Sequence, residues 1–68
     1  MKDIYRLGYK LRYFFDADVD ERGHIDIEGY EVYDNDVLIA ELEFVSEEDI
    51  NRMTDEELTD LIEDNLIE

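Results

Sequence analysis

From Tyr5 onward the apolar side chains take alternate places: Tyr5, Leu7, Tyr9, Leu11, Tyr13, Phe15, Ala17 and Val19 fall on successive odd positions, with mostly polar or charged residues between them. A strand buried on one face has this period of two, and aromatic and β-branched side chains suit it. Ile4, Leu7, Leu11 and Phe14 also fall at helical spacing, but the alternating pattern runs longer and predicts a strand over about 5–19. Asp20-Glu21-Arg22-Gly23-His24 predicts a hairpin with a three-residue loop, in which Gly23 supplies the left-handed backbone. That loop sets Val19 opposite Ile25 and Ala17 opposite Ile27 in a second strand over about 24–33. The inward parity then changes to Tyr30 and Val32. Gly29 stands at the change, where a bulge is expected, and Arg12 comes to face Glu31. A turn at Asp34-Asn35-Asp36 leads into a third strand over about 37–45, with Leu38, Ala40, Leu42 and Phe44 as its inward row.

After the strands the period changes. Ser46 precedes Glu47, Glu48 and Asp49, and Thr54-Asp55-Glu56-Glu57 matches a capping box; Val45 with Ile50, and Met53 with Leu58, stand at hydrophobic-staple positions. A short helical stretch over 47–53 and a longer one over 55–67 follow, the second with an apolar stripe of Leu58, Leu61, Ile62 and Leu66. The expected architecture is α+β in one domain, residues 1–68: a three-stranded antiparallel β-meander with the C-terminal helix packed on one face. Such a stripe is far more often plain core than a binding surface.

Composition changes this picture through charge. The chain of 68 residues has 22 acidic and 6 basic residues, a formal charge of −16, beside a hydrophobic content of 44% that is too rich for a disordered acidic tail. The asymmetry is also positional: Lys2, Arg6, Lys10 and Arg12 lie near the start against Asp3 alone, and only Arg22 and Arg52 offset the acids beyond. An excess of this size argues against direct binding to nucleic acid or an anionic membrane, which needs cations to neutralise phosphate. With no cysteine, the chain has no disulfide framework, thiolate metal site or thiol nucleophile. It shows neither a basic region followed by an apolar stretch nor a long uncharged run, so the expected location is the cytoplasm.

Little here suggests catalysis. His24 is the sole histidine, it sits beside a turn glycine, and no nucleophile elbow or phosphate-cradling glycine loop accompanies it; the expectation is a non-enzyme without cofactor. Residues 15–28 resemble the calcium loop of EF-hand proteins. Starting the loop at Asp16 places three acids correctly but puts Glu21 at the glycine position and Ile27 at the last ligand. Starting at Asp18 places Gly23 and Ile25 correctly but puts Arg22 and Gly29 at ligand positions. Neither register is complete, so no metal site is assigned, and an acidic hairpin turn is the simpler reading.

The acidic array is the strongest clue. The predicted register gathers Asp16, Asp18, Asp26, Glu28, Glu41 and Glu43 on the sheet face away from the helix, and Asp55, Glu56, Asp60, Glu63 and Asp64 on the helix exterior. Neighbouring like charges along a strand, about 6.6 Å apart, repel by about 2.5 kcal/mol at a surface-like dielectric constant. Stability alone does not select such an arrangement in a small domain. In length, charge and mixed strand–helix build the chain resembles the small acidic DNA-mimic proteins by which bacteriophages block host DNA-binding proteins, restriction systems, repair enzymes or CRISPR effectors. The resemblance implies a stoichiometric inhibitor seated in the nucleic-acid groove of a basic DNA-binding protein, whether a nucleoid protein, a nuclease or another nucleic-acid enzyme. The alternatives are the EF-hand-like calcium site and a generic acidic interaction domain. Two further surfaces are expected: an open edge on the N-terminal strand, through which a homodimer can form by strand addition, and an apolar patch of Phe14, Tyr33, Val37 and Ile39.

Overall fold

The computed structural model describes residues 3–67, except for the side chains of Asp18, Val19, Asp20, His24 and Ile25. The architecture is α+β, with four strands where the sequence pattern predicts three: β1 (Asp3–Arg6), β2 (Tyr9–Asp20), β3 (Gly23–Asp34) and β4 (Val37–Glu43), followed by α1 (Glu47–Arg52) and α2 (Asp55–Asp64). The sheet is a fully antiparallel meander in the order β1-β2-β3-β4.

The extra strand comes from a turn that the alternating pattern conceals. Leu7 and Gly8 have φ of 58° and 79°, the pair of positive values a two-residue hairpin loop needs, and Arg6 pairs with Tyr9 across it. Such a loop joins an even position to an odd one, so the inward row reads Ile4 and Arg6 before it and Tyr9, Leu11 and Tyr13 after it. The odd-numbered run through Tyr5 and Leu7 is therefore coincidental; Tyr5 is 73% exposed and the helical alternative for this stretch is not realised. Asn35 and Asp36, with φ of 50° and 67°, make the β3–β4 connection in the same way.

The β2–β3 hairpin departs from expectation in register. Gly23 does take a positive φ, 123°, but Asp20 pairs with Gly23 and the loop is only Glu21-Arg22. From Lys10 opposite Tyr33 to Asp20 opposite Gly23 the ladder runs without a bulge. Gly29 is needed for a different reason: a Cβ there would lie 1.9 Å from the Leu42 carbonyl oxygen and 3.0 Å from Cζ of Phe14. The irregularities fall in β4 instead. Ile39 is the extra residue between Leu38, opposite Tyr33, and Ala40, opposite Val32. Phe44, with φ of 61° and 68% exposed, is pushed out of the row while the buried Val45 donates its N–H to the Glu28 carbonyl at 3.2 Å. Val45, not Phe44, completes the inward row.

One face of the sheet contributes Leu11, Tyr30, Val32, Ala40 and Leu42 to the core, and the helical layer closes it with Ile50, Leu58 and Ile62. Both helices start as predicted. Ser46 and Asp49, then Thr54 and Glu57, exchange side-chain and backbone hydrogen bonds of 3.0–3.2 Å in two complete capping boxes. α2 ends earlier than expected, because the Asn65 amide donates to the Leu61 carbonyl at 2.8 Å and the chain then bridges Leu66 to Ala40 on the outer edge of β4. Leu66 is half exposed and stands outside the helical stripe.

Arg6 locks these layers together. From β1 its guanidinium donates to the carbonyls of Ile50 and Met53, at 2.9 and 3.2 Å, and meets the Asp55 carboxylate at 2.6 Å. The Met53 carbonyl, at the cap that ends α1, gains a partner in this way, and the Ile50 carbonyl, which already accepts from the Met53 N–H at 3.3 Å, gains a second. Replacing Arg6 by Met is expected to cost about 1.5–3 kcal/mol, the range for charge-assisted bonds, read as a lower urea midpoint at unchanged slope.

Candidate functional site

The face of the sheet turned away from the helices is built in rows. Asp3, Arg12, Glu31 and Glu41 lie side by side across the four strands; the next row has Phe14, Gly29 and Glu43, and the one after it Asp16 and Ile27. Phe14 and Ile27 are half-buried, while Asp16, Glu41 and Glu43 are exposed. Together with Glu31 these residues line a cleft of ≈ 340 Å³ with an apolar floor and an acidic rim. Gly29, the one position in that row without a side chain, leaves room for the Phe14 ring to lie over it.

This arrangement corrects the expected array. Asp16, Glu41 and Glu43 do share the outer face, and Glu31 joins them. Asp26 pairs with Ala17 and Glu28 with Phe15, so both belong to the opposite face, in the part of the hairpin beyond β4. The cause is the two-residue loop: a register one residue different from the expected one sends β3 side chains to the other side. Asp18 pairs with Ile25 through its backbone, and its side chain lies outside the described residues. Asp55, Glu56, Asp60, Glu63 and Asp64 are exposed on α2 as expected, although Asp55 is engaged by Arg6. The ten acids whose side chains are described thus occupy three separate surfaces. The predicted apolar patch also dissolves, since Ile39 packs against the core and Phe14 belongs with Ile27.

Among the described residues, the ion pairing found on the outer face lies at its β1 end. The Lys10 ammonium lies 3.9 Å from the Asp3 carboxylate and 5.8 Å from the centre of the Tyr33 ring. Arg12 is exposed and in register with Glu31, as expected, but makes no ion pair with it. Among the described residues no ion pair reaches Asp16, Glu31, Glu41 or Glu43; Glu31 only accepts a 3.3 Å hydrogen bond from the Tyr33 hydroxyl. Glu31 and Glu41 are direct cross-strand neighbours, a placement that destabilises a sheet.

On the other face the polar chemistry is structural. Tyr13 and Tyr30 meet edge to face at 5.6 Å, and the Tyr13 hydroxyl donates to the Glu28 carboxylate at 2.8 Å. That bond chiefly, with burial and the Glu28 charge behind it, raises the Tyr13 pKa; burial first and the Glu47 charge next raise that of Tyr30. The Asp49 carboxyl is held below its usual range by the Ser46 N–H and hydroxyl of its capping box. No three carboxylates or histidines converge to hold a metal among the described residues. The EF-hand-like segment is two strands joined by the tight turn at Glu21-Arg22.

The chain matches no protein-family model, no curated protein and no solved structure. None of its helices is long and apolar enough to cross a membrane among the described residues.

Two outcomes follow from the charges. Glu41→Lys removes the like-charge pair with Glu31 and is expected to raise stability by about 0.5–1 kcal/mol at low salt, with the gain shrinking at 0.5 M salt; thermal unfolding at both ionic strengths measures it, and a destabilised variant would contradict the pairing. Because folding raises the Tyr13 pKa, the unfolded chain loses that proton first, so this tyrosine contributes a loss of stability only as pH climbs through the ordinary 10.0. Glu28→Ala should bring the Tyr13 titration back toward 10.0, followed by the ring carbon shift in an NMR titration.

Proposed function

We propose that this chain is a nucleic-acid mimic that binds the basic DNA-binding surface of another protein and blocks it one to one, without enzymatic activity. The observation that carries the reading is the set of unpaired carboxylates fixed on the outer face of the sheet, with Glu31 and Glu41 held directly opposite each other. Their strands impose separations of about 4.8 Å across and 6.6 Å along the sheet, the same order as that of successive phosphates on a nucleic-acid strand. A cationic groove that accepts them releases its own bound anions, as DNA binding releases counterions, so the association is driven by the same term that drives DNA binding.

The outer face suits this role better than the α2 exterior. Its charges stand on a hydrogen-bonded ladder whose geometry is fixed by register, and a fixed pattern spends little conformational entropy when a partner matches it. The arrangement serves equally for a nucleoid protein or for a nuclease, since both present Lys and Arg to phosphate. Immobilised chain is expected to capture basic DNA-binding proteins from a bacterial lysate in low salt and to release them when duplex DNA is added at constant ionic strength. Captured proteins that salt elutes but duplex DNA does not would sink the proposal.

A further inference from the structure

The outer-face cleft has an apolar centre, which simple phosphate mimicry does not call for. The Phe14 ring lies over Gly29, where any Cβ would come within 3.0 Å of it, and Ile27 flanks the ring along the strand. Asp16, Glu31, Glu41 and Glu43 stand around that floor in a cleft of ≈ 340 Å³. The opposite end of the same face shows what such a combination does within this chain: the Lys10 ammonium sits 5.8 Å from the centre of the Tyr33 ring and 3.9 Å from the Asp3 carboxylate. Among the described residues no cation of the chain makes such a contact with Phe14, although Arg12 stands beside it and shares a neighbouring pocket with Phe14 and Glu31.

We propose that the cleft around Phe14 is a docking site for an arginine side chain carried on a basic protein partner. It rests on the reading above in taking the partner to be cationic, and it adds which side chain is recognised. Charge complementarity selects a cation, because the rim is wholly acidic. The floor selects among cations. A guanidinium is planar and weakly hydrated; it lies flat on an aromatic ring while its edge donates in a fork to carboxylates beside the ring. A lysine ammonium is a compact, strongly hydrated charge that gives up more water to reach the same floor. A phosphate or a nucleic acid is repelled by the rim, and a hydrated metal ion must shed tightly held water to reach a phenyl ring.

The test uses a capped pentapeptide with two arginines and its two-lysine counterpart, each titrated into the full chain at fixed low salt and followed by NMR. The arginine peptide is expected to bind roughly two- to fivefold more tightly, as a surface cation–π contact allows, with the largest shifts at the Phe14 ring and the Gly29 amide. Phe14→Leu keeps the charge and should erase that preference. Glu41→Gln with Glu43→Gln should weaken both peptides, and Glu56→Gln with Glu63→Gln, an equal change of charge on α2, should weaken them less. Equal affinity of the two peptides for the unaltered chain overturns the site, and so does a preference that survives Phe14→Leu; the first comparison decides alone if that variant does not fold. Equal affinities together with DNA-reversible capture overturn the arginine site and leave the mimic reading standing. An arginine preference without DNA-reversible capture supports the site and removes the mimic reading.

Discussion

The register of the β2–β3 hairpin governs the chemistry of this molecule. Because Asp20 pairs with Gly23 and the ladder continues unbroken to Lys10 and Tyr33, every residue on these two strands has its face assigned by one turn. A shift of one position would exchange Ile27 for Glu28 on the outer face and take the apolar flank away from Phe14. The core does not enforce that choice along the whole hairpin. β1 reaches only to Arg12 and β4 only to Gly29, so the strands beyond them form a ribbon whose two sides are both open to polar and apolar residues. Close packing at Gly29, between the Leu42 carbonyl and the Phe14 ring, pins the register where the ribbon leaves the sheet.

Such an acidic surface requires a scaffold that tolerates it. Self-repulsion among carboxylates acts against compactness, and in a domain this small the opposing terms are few. They are concentrated on the helical side. Two complete capping boxes turn two of the acids nearest the helix starts, Asp49 and Glu57, to structural use, where the helix dipole also favours them, and Arg6 ties the edge strand to the junction of the two helices. Few cations are available, and two of those near the start of the chain are used close to β1: Arg6 on the helices, Lys10 on Asp3 and Tyr33. The outer-face carboxylates beyond Arg12 are left to solvent by this distribution.

How much of this was legible in the sequence depended on the kind of signal. The helix starts were plain, because Ser46 with Asp49 and Thr54 with Glu57 carry their geometry in a four-residue spacing. The turn at Asn35-Asp36 was equally readable from residues that tolerate positive φ. Leu7-Gly8 was not, since leucine rarely adopts that backbone and the alternation of apolar residues continued through the turn. The split of the acids between faces escaped for a related reason: two- and three-residue loops around Gly23 read alike, yet they put Asp26 and Glu28 on opposite sides. Phe14 and Glu31 were visible only as a nominally polar-face aromatic and as a partner of Arg12, because what joins them into a site is the small residue at position 29, seen in its sheet context.

The aromatic floor separates two ways in which an acidic protein can meet a basic one. Carboxylates alone attract any cationic surface, and their interaction weakens uniformly as salt rises. A ring held among them adds a short-range contact that salt screens little and that depends on the shape of the cation. Phe14 is held in such a position by Gly29 beneath it and Ile27 beside it, in a cleft on the outer face. In the proposed association, long-range charge would bring a basic partner to the face, and the cleft would set how it is oriented there.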